Sequence, residues 1–212
     1  MRLLLILAIA ALGSRADVLF EQSDFTGDPP AGWRRWSHRE DTSPRSFVDR
    51  APNRGGAGVL AISGNSNPAA HGGWERLVTG LATGRWYRLT AYYRTENVPA
   101  ENWQVVARLD WRSADGVTRA GEPEYVSWAE REGAWTKLTL DTEAPAGTGA
   151  VALQFYLSNA AQGTVWWDSI RFEAIPPPAQ RKLTIASVKL RPQNSASAAE
   201  SVSRFFATIE QR

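Results

Sequence analysis

WYRLTAYYRTE (Trp86–Glu96) and WQVVARLDWRS (Trp103–Ser113) decide how this chain folds. Successive side chains of a strand point to opposite faces, so every second residue shares a surface. In the first stretch that rule places Leu89, Ala91 and Tyr93 on one face and Arg88, Thr90, Tyr92 and Arg94 on the other. In the second, Val105, Ala107, Leu109 and Trp111 oppose Gln104, Val106, Arg108 and Asp110. One face suits a core; the other suits water or a polar ligand. The division recurs in AVALQFYLSN (Ala150–Asn159), where Val151, Leu153, Phe155 and Leu157 oppose Gln154, Tyr156 and Ser158. It recurs again in WTKLTLDT (Trp135–Thr142), with Leu138 and Leu140 against Lys137 and Thr139.

Four further runs read as strands: VLFEQSDF (Val18–Phe25), GVLAISG (Gly58–Gly64), HGGWERLVTG (His71–Gly80) and TVWWDSIRFE (Thr164–Glu173). Between the runs lie turn residues, as in NRGGAG (Asn53–Gly58), ADG (Ala114–Gly116) and APAGTG (Ala144–Gly149),. Short strands at this spacing, with no internal repeat, predict an all-β domain over 17–175. The expected architecture is an antiparallel two-sheet β-sandwich or jelly roll. About 160 residues are enough for one sizeable core.

The two ends differ from this middle. Arg2 precedes an apolar run, Leu3–Leu12, too short to span a bilayer, and Ser14 and Ala16 are small residues suited to cleavage after Ala16,. Residues 1–16 therefore read as an export signal, which implies a secreted or periplasmic protein with no membrane association after cleavage. A membrane anchor is the alternative. The sequence has no Cys, which excludes a lipoprotein anchor, disulfides, thiolate zinc sites and a Cys nucleophile,. The 24 basic residues, less Arg2 and Arg15, match the 22 acidic ones, and no Lys/Arg block follows a phosphate backbone,. Nucleic acid is not an expected partner.

All ten tryptophans precede Pro176-Pro177-Pro178, which opens a linker over 176–180. In 181–212 a strand is expected at Thr184–Leu190. A capping box follows at Ser197 and Glu200, then an apolar helical stripe of Val202, Phe205, Phe206 and Ile209,. A strand and a helix cannot close a core, so 181–212 reads as the incomplete start of an α/β domain.

Aromatic side chains cover the C–H face of a pyranose ring at little entropic cost. Planar polar groups then meet its hydroxyl rim. The polar faces supply such a mixture in Tyr92, Arg94, Arg108, Asp110, Gln154 and Tyr156. Trp36, Trp74, Trp103 and Trp128 lie near strand ends or in loops, where they would rim a groove. Core or edge cover is the alternative for each aromatic. Other chemistries find little support. His38 and His71 are the only histidines. NRGGAG leads into a strand rather than a helix, unlike a phosphate loop. Asp110, Glu122 and Glu124 are not placed as a pair across a bond. No catalytic residue is expected.

On DFTGDPPAGW (Asp24–Trp33), GLATGRWYRLTAYYRT (Gly80–Thr95) and the stretch from GAWTKL to DSIRF (Gly133–Phe172), the region from about Asp17 to Ala174 resembles a carbohydrate-binding module of the galactose-binding-like β-sandwich class. The resemblance implies a non-catalytic module; with no charge excess to drive it, glycan binding is expected to be weak, aromatic-led and largely independent of salt, and the protein a monomer. The resemblance also implies a structural calcium held by Glu21 or Asp24 together with Asp168, with carbonyls near Gly55 to Gly58. Alternatively, Asp168 caps a turn or pairs with Arg171. The segment Arg181–Gln211 is similar to the first strand and helix of nitrilase-type carbon–nitrogen hydrolases. It departs at Lys189, where that family commonly has Gln. The family's Glu, Lys and Cys lie beyond the matched segment, so none is carried over; a generic βα start is the alternative.

The expected function is thus a secreted carbohydrate-binding module accessory to a downstream hydrolase. A second expectation is the N-terminal fragment of a secreted nitrilase-type enzyme whose β-domain is a structural or protein-interaction module. A third is a freestanding binding protein whose tail helix docks a partner.

Overall fold

The chain pairs its strands into two antiparallel sheets that face each other across one core. The computed structural model describes residues 17–51, 53–179, 189 and 194–210, with the backbone alone at Trp128 and over 207–210. These fall into two units, divided between Pro178 and Ala179. One sheet runs in the order β3 (Arg45–Asp49), β4 (Val59–Ser63), β12 (Thr164–Ile175), β6 (Trp86–Glu96), β10 (Trp135–Glu143) and β9 (Trp128–Glu132). Its seventh strand, β1 (Asp17–Gln22), also pairs with β12. The other sheet runs β2 (Trp33–Ser37), β5 (His71–Thr79), β11 (Ala150–Ser158), β7 (Val105–Arg112) and β8 (Glu124–Tyr125). A helical turn, α1 (Glu101–Gln104), leads into β7.

Strand β12 organises the larger sheet. Its first residues, Thr164–Trp167, pair with β4, whereas its second half pairs with β1, Asp17 opposite Ala174. The register against β6 shifts between Asp168 and Arg171, where Ser169 takes a φ of 49°. That bulge bends the strand and lets two partners share one edge.

Inward residues from both sheets form the core. Trp74, Trp111, Trp167, Tyr87, Phe155 and Phe172 are each essentially fully buried. Burying a side chain of this size contributes about 1.5–3 kcal/mol. Their rings meet edge-on or offset: Phe155 and Trp167 lie 4.9 Å apart, and Tyr87 and Phe172 stack at 5.3 Å,. A smaller cluster covers the opposite side of the larger sheet, with Val59, Ala61, Trp135 and Trp166 packed against Phe47 and Tyr92.

The eight expected strands are all present, with two main changes: β1 ends at Gln22 rather than Phe25, and Trp103 and Gln104 belong to α1, so β7 begins at Val105. Strands β2, β3, β8 and β9 are additional. In the second unit, α2 (Ala198–Glu210) starts at the expected capping box. The Glu200 amide donates to Ser197 Oγ at 3.2 Å, and Glu200 Oε2 accepts from the Ala196 amide at 2.7 Å,. Val202 and Phe206 on this helix are exposed. The expected signal over 1–16 and the strand at 184–190, Lys189 apart, lie outside the described residues. Among those described, no helix is long and apolar enough to cross a membrane.

Candidate functional site

The outer face of the five-stranded sheet carries a ladder of polar side chains, one from each strand. Register places Arg34 opposite Glu75, Glu75 opposite Gln154, Gln154 opposite Arg108 and Arg108 opposite Tyr125. Every neighbouring pair is bonded. Arg34 Nε donates to Glu75 Oε1 at 2.6 Å, and Gln154 Nε2 donates to Glu75 Oε2. Arg108 donates from Nε to Gln154 Oε1 at 2.5 Å and from Nη1 to the Tyr125 hydroxyl at 3.0 Å. Gln154 is fully buried, Glu75 is 3% exposed and Arg108 6% exposed. A buried polar network of this kind stays rigid when its members are satisfied.

Aromatic rings flank the ladder. Trp36 and Tyr156, both opposite Gly73, lie 5.6 Å apart. The Arg108 guanidinium carbon sits 5.1 Å from the Trp36 ring, 5.5 Å from Tyr156 and 5.8 Å from Tyr125, within cation–π range,. His71 lies 4.9 Å from Tyr156 and stacks on His38 at 5.7 Å. Its Nδ1 lies 3.1 Å from Ser158 Oγ. Beside these rings is a recess of about 340 Å³, lined among others by Trp103, Tyr125, Tyr156 and His71. Its size lies at the lower end of small-molecule sites. Trp103 is 59% exposed and stands at the rim.

Burial, followed by the charges of His38 and Arg108, lowers the pKa of His71. Burial pushes the Tyr156 phenol up to about 12, against the opposing pull of Arg108. At neutral pH the Tyr156 phenol that lines the recess is therefore protonated.

The structure gathers some of the expected site residues here and scatters others. Tyr156 and Trp103 line the recess, and Arg108, Gln154 and Trp36 stand beside Tyr156 on the same face. Asp110 shares the face but is held by Arg112 at 2.5 Å and Arg119 at 3.5 Å. Tyr92 and Arg94 belong to β6, on the outer side of the other sheet; there Arg54 stacks 3.6 Å over the Tyr92 ring. Trp74 is not at a rim. It sits mid-strand with no exposed surface, and its indole N–H donates to the Ala61 carbonyl at 3.1 Å. Such a ring has no face left for a ligand. For Trp128, in β9, the side chain lies outside the described residues. Arg34, Glu75, Tyr125 and His71 complete the site. Only the register of β2, β5 and β8 on their neighbours reveals them.

The three carboxylates named for calcium have other partners. Glu21 accepts from Arg171 Nη1 at 2.9 Å. Asp24 Oδ1 accepts from the Ala57 amide at 2.8 Å. Asp168, fully buried, accepts from the Arg54 amide at 2.7 Å and the Ser169 amide at 2.5 Å. Among the described residues no group of three His, Cys, Asp or Glu is placed to share a metal. The 54–57 loop is tied to both aspartates directly.

No protein-family profile matches this chain, and no curated protein does. Solved structures do. The enzymatically active domain of bacteriophage CBA120 tailspike protein 4 superposes with a TM-score of 0.52 at 11% identity, over 68% of this chain and 20% of that one. The C-terminal family 22 carbohydrate-binding module of Clostridium thermocellum Xyn10B gives 0.52 at 9% identity, over 77% of this chain and 96% of the module. The tandem family 22 domains of Paenibacillus barcinonensis Xyn10C give 0.51 at 17%, over 77% of this chain and 51% of the pair. The likeness is one of fold. The chain spans about a fifth of the tailspike domain but nearly the whole length of a single family 22 module.

Proposed function

We propose that this protein is a non-catalytic carbohydrate-binding module whose ligand lies across the outer face of the five-stranded sheet. The observation that carries the reading is the buried ladder Arg34–Glu75–Gln154–Arg108–Tyr125 beside the rings of Trp36 and Tyr156. The exposed ends of the ladder, Arg34 and Tyr125, offer donors to a hydroxyl rim, and the rings offer apolar surface to a sugar face,. Carbohydrate-binding modules of family 22 share the fold, which supports the reading. Secretion, and an accessory role beside a hydrolase, belong to the same proposal. Affinity electrophoresis through gels containing soluble glycans tests it. At least one glycan is expected to retard the protein, and Trp36→Ala and Tyr156→Ala are each expected to weaken retention about tenfold or more. Lack of retardation by every glycan tried, or full retention in both variants, overturns it.

The exposed Val202 and Phe206 of α2 favour one further reading: this helix belongs to a second domain, of nitrilase type, with which the module is fused,.

A further inference from the structure

Resting on that reading, we propose that the site selects an acidic sugar, a glycan whose uronic acid carboxylate is taken by Arg108 between Trp36, Tyr125 and Tyr156. A buried charge is costly unless an opposite charge answers it. Arg108 is 6% exposed, and no carboxylate among the described residues forms an ion pair with it. Its two bonded nitrogens are held by neutral groups, the Gln154 amide oxygen and the Tyr125 hydroxyl. Nη2 has no partner among the described residues. Glu75, in the same ladder, is engaged by Arg34 and Gln154. Asp110, further along β7, is engaged by Arg112 and Arg119.

On this face, then, four arginines meet two carboxylates, and the surplus is centred on the most buried guanidinium. The lowered pKa of His71 fits the same field: after burial and His38, the charge of Arg108 is what disfavours a second cation there. The missing partner is an anion. A carboxylate matches a guanidinium in shape as well as charge and forms short charge-assisted hydrogen bonds with it. A uronic acid delivers that carboxylate on a pyranose ring, whose C–H face the flanking aromatics cover. This local charge reverses the salt-independence expected from the chain's overall balance.

The test is affinity electrophoresis of the whole protein against polygalacturonate and the same polymer with its carboxyls reduced to hydroxymethyl groups. Glucuronoxylan and its de-glucuronidated form make a second matched pair, and dextran sulfate is the charge control. At low salt at least one native uronate polymer is expected to be retained about tenfold more strongly than its neutral counterpart. Added salt is expected to shrink that ratio. Arg108→Gln is expected to bring native and neutral forms to equal retention. Should that variant fail to fold, Arg34→Gln, at a largely exposed side chain, is expected to cut the ratio several-fold while its circular dichroism stays unchanged. Equal retention of native and neutral polymers by the wild type overturns the acidic preference and leaves glycan binding standing. Retention of neither overturns both. Dextran sulfate held as tightly as the uronates also overturns carboxylate selection, as does an unchanged ratio in a folded variant.

Discussion

Gln154 shows what one side chain does at this site. It bridges a carboxylate and a guanidinium, each almost wholly out of water. Gln154→Leu keeps the bulk but leaves both charges short of a partner, and each orphaned group costs about 1–3 kcal/mol. Urea unfolding is expected to show a loss of about 2–5 kcal/mol, with the slope unchanged. His71 sets a pH dependence. Its folded pKa is lowered, first by burial and then by His38 and Arg108. The unfolded chain therefore binds the proton first, near the ordinary imidazole value of about 6.5. Stability is full above that pH and is lost as pH falls below it. The melting temperature should fall between about pH 7.5 and about pH 5, less steeply in His71→Gln. Residue alternation was enough to place Arg108, Gln154 and Tyr156 on one face. Trp74 reads from the sequence as lying near a strand end, but it sits mid-strand, and Gly72 and Gly73 just before it have no side chains to mark inside from outside. Alternation also cannot say which sheet a strand joins, so Tyr92 and Arg94 were grouped with residues of the opposite side of the sandwich.

At the scale of elements, the strands that escaped sequence reading have physical reasons to do so. In β2, Trp33 points into the core and Trp36 out to the site, so its aromatics fall on both faces and no apolar period emerges. Strand β8 is two residues long and exists by pairing with β7. The loop over 53–58 was legible as a turn, but not as the strap it forms over β12. Its Arg54 amide is bound by Asp168, and its Ala57 amide by Asp24. Asp168→Ala removes the acceptor of two amides and should cost about 2–4 kcal/mol, or on the order of 10 °C in melting temperature. A structural calcium shared by Asp24 and Asp168, as the resemblance implies, is expected to raise the melting temperature in excess calcium and to lower it in excess EDTA; no shift on adding either overturns it. Gly73 is fixed by a different constraint. A Cβ there would overlap the Phe155 carbonyl and crowd the Tyr156 Cα at 2.8 Å. The added methyl would also strike the core side chain of Ile62, so Gly73→Ala is expected to destabilise the fold, readable as a lower melting temperature by circular dichroism.

For the molecule as a whole, the sandwich closes only when its first strand finds its last, Asp17 opposite Ala174. Contacts this distant in sequence make folding slow, because the loop-closure entropy precedes the reward. Stopped-flow refolding is expected in the millisecond-to-second range rather than in microseconds. The sandwich was legible from the sequence because eight of its strands carry clean alternation. The shared edge of β12 was not, since a bulge centred on Ser169 leaves no compositional trace. The pairing of β1 with β12 also brings the two ends of the sandwich side by side. A unit whose ends meet can be cut and rejoined without changing its shape. A circular permutant that links 17 to 175 through a few residues and opens at the exposed Gly133–Ala134 turn should keep the same face. The same geometry would let the unit be spliced into a surface loop of a host protein as a detachable cassette.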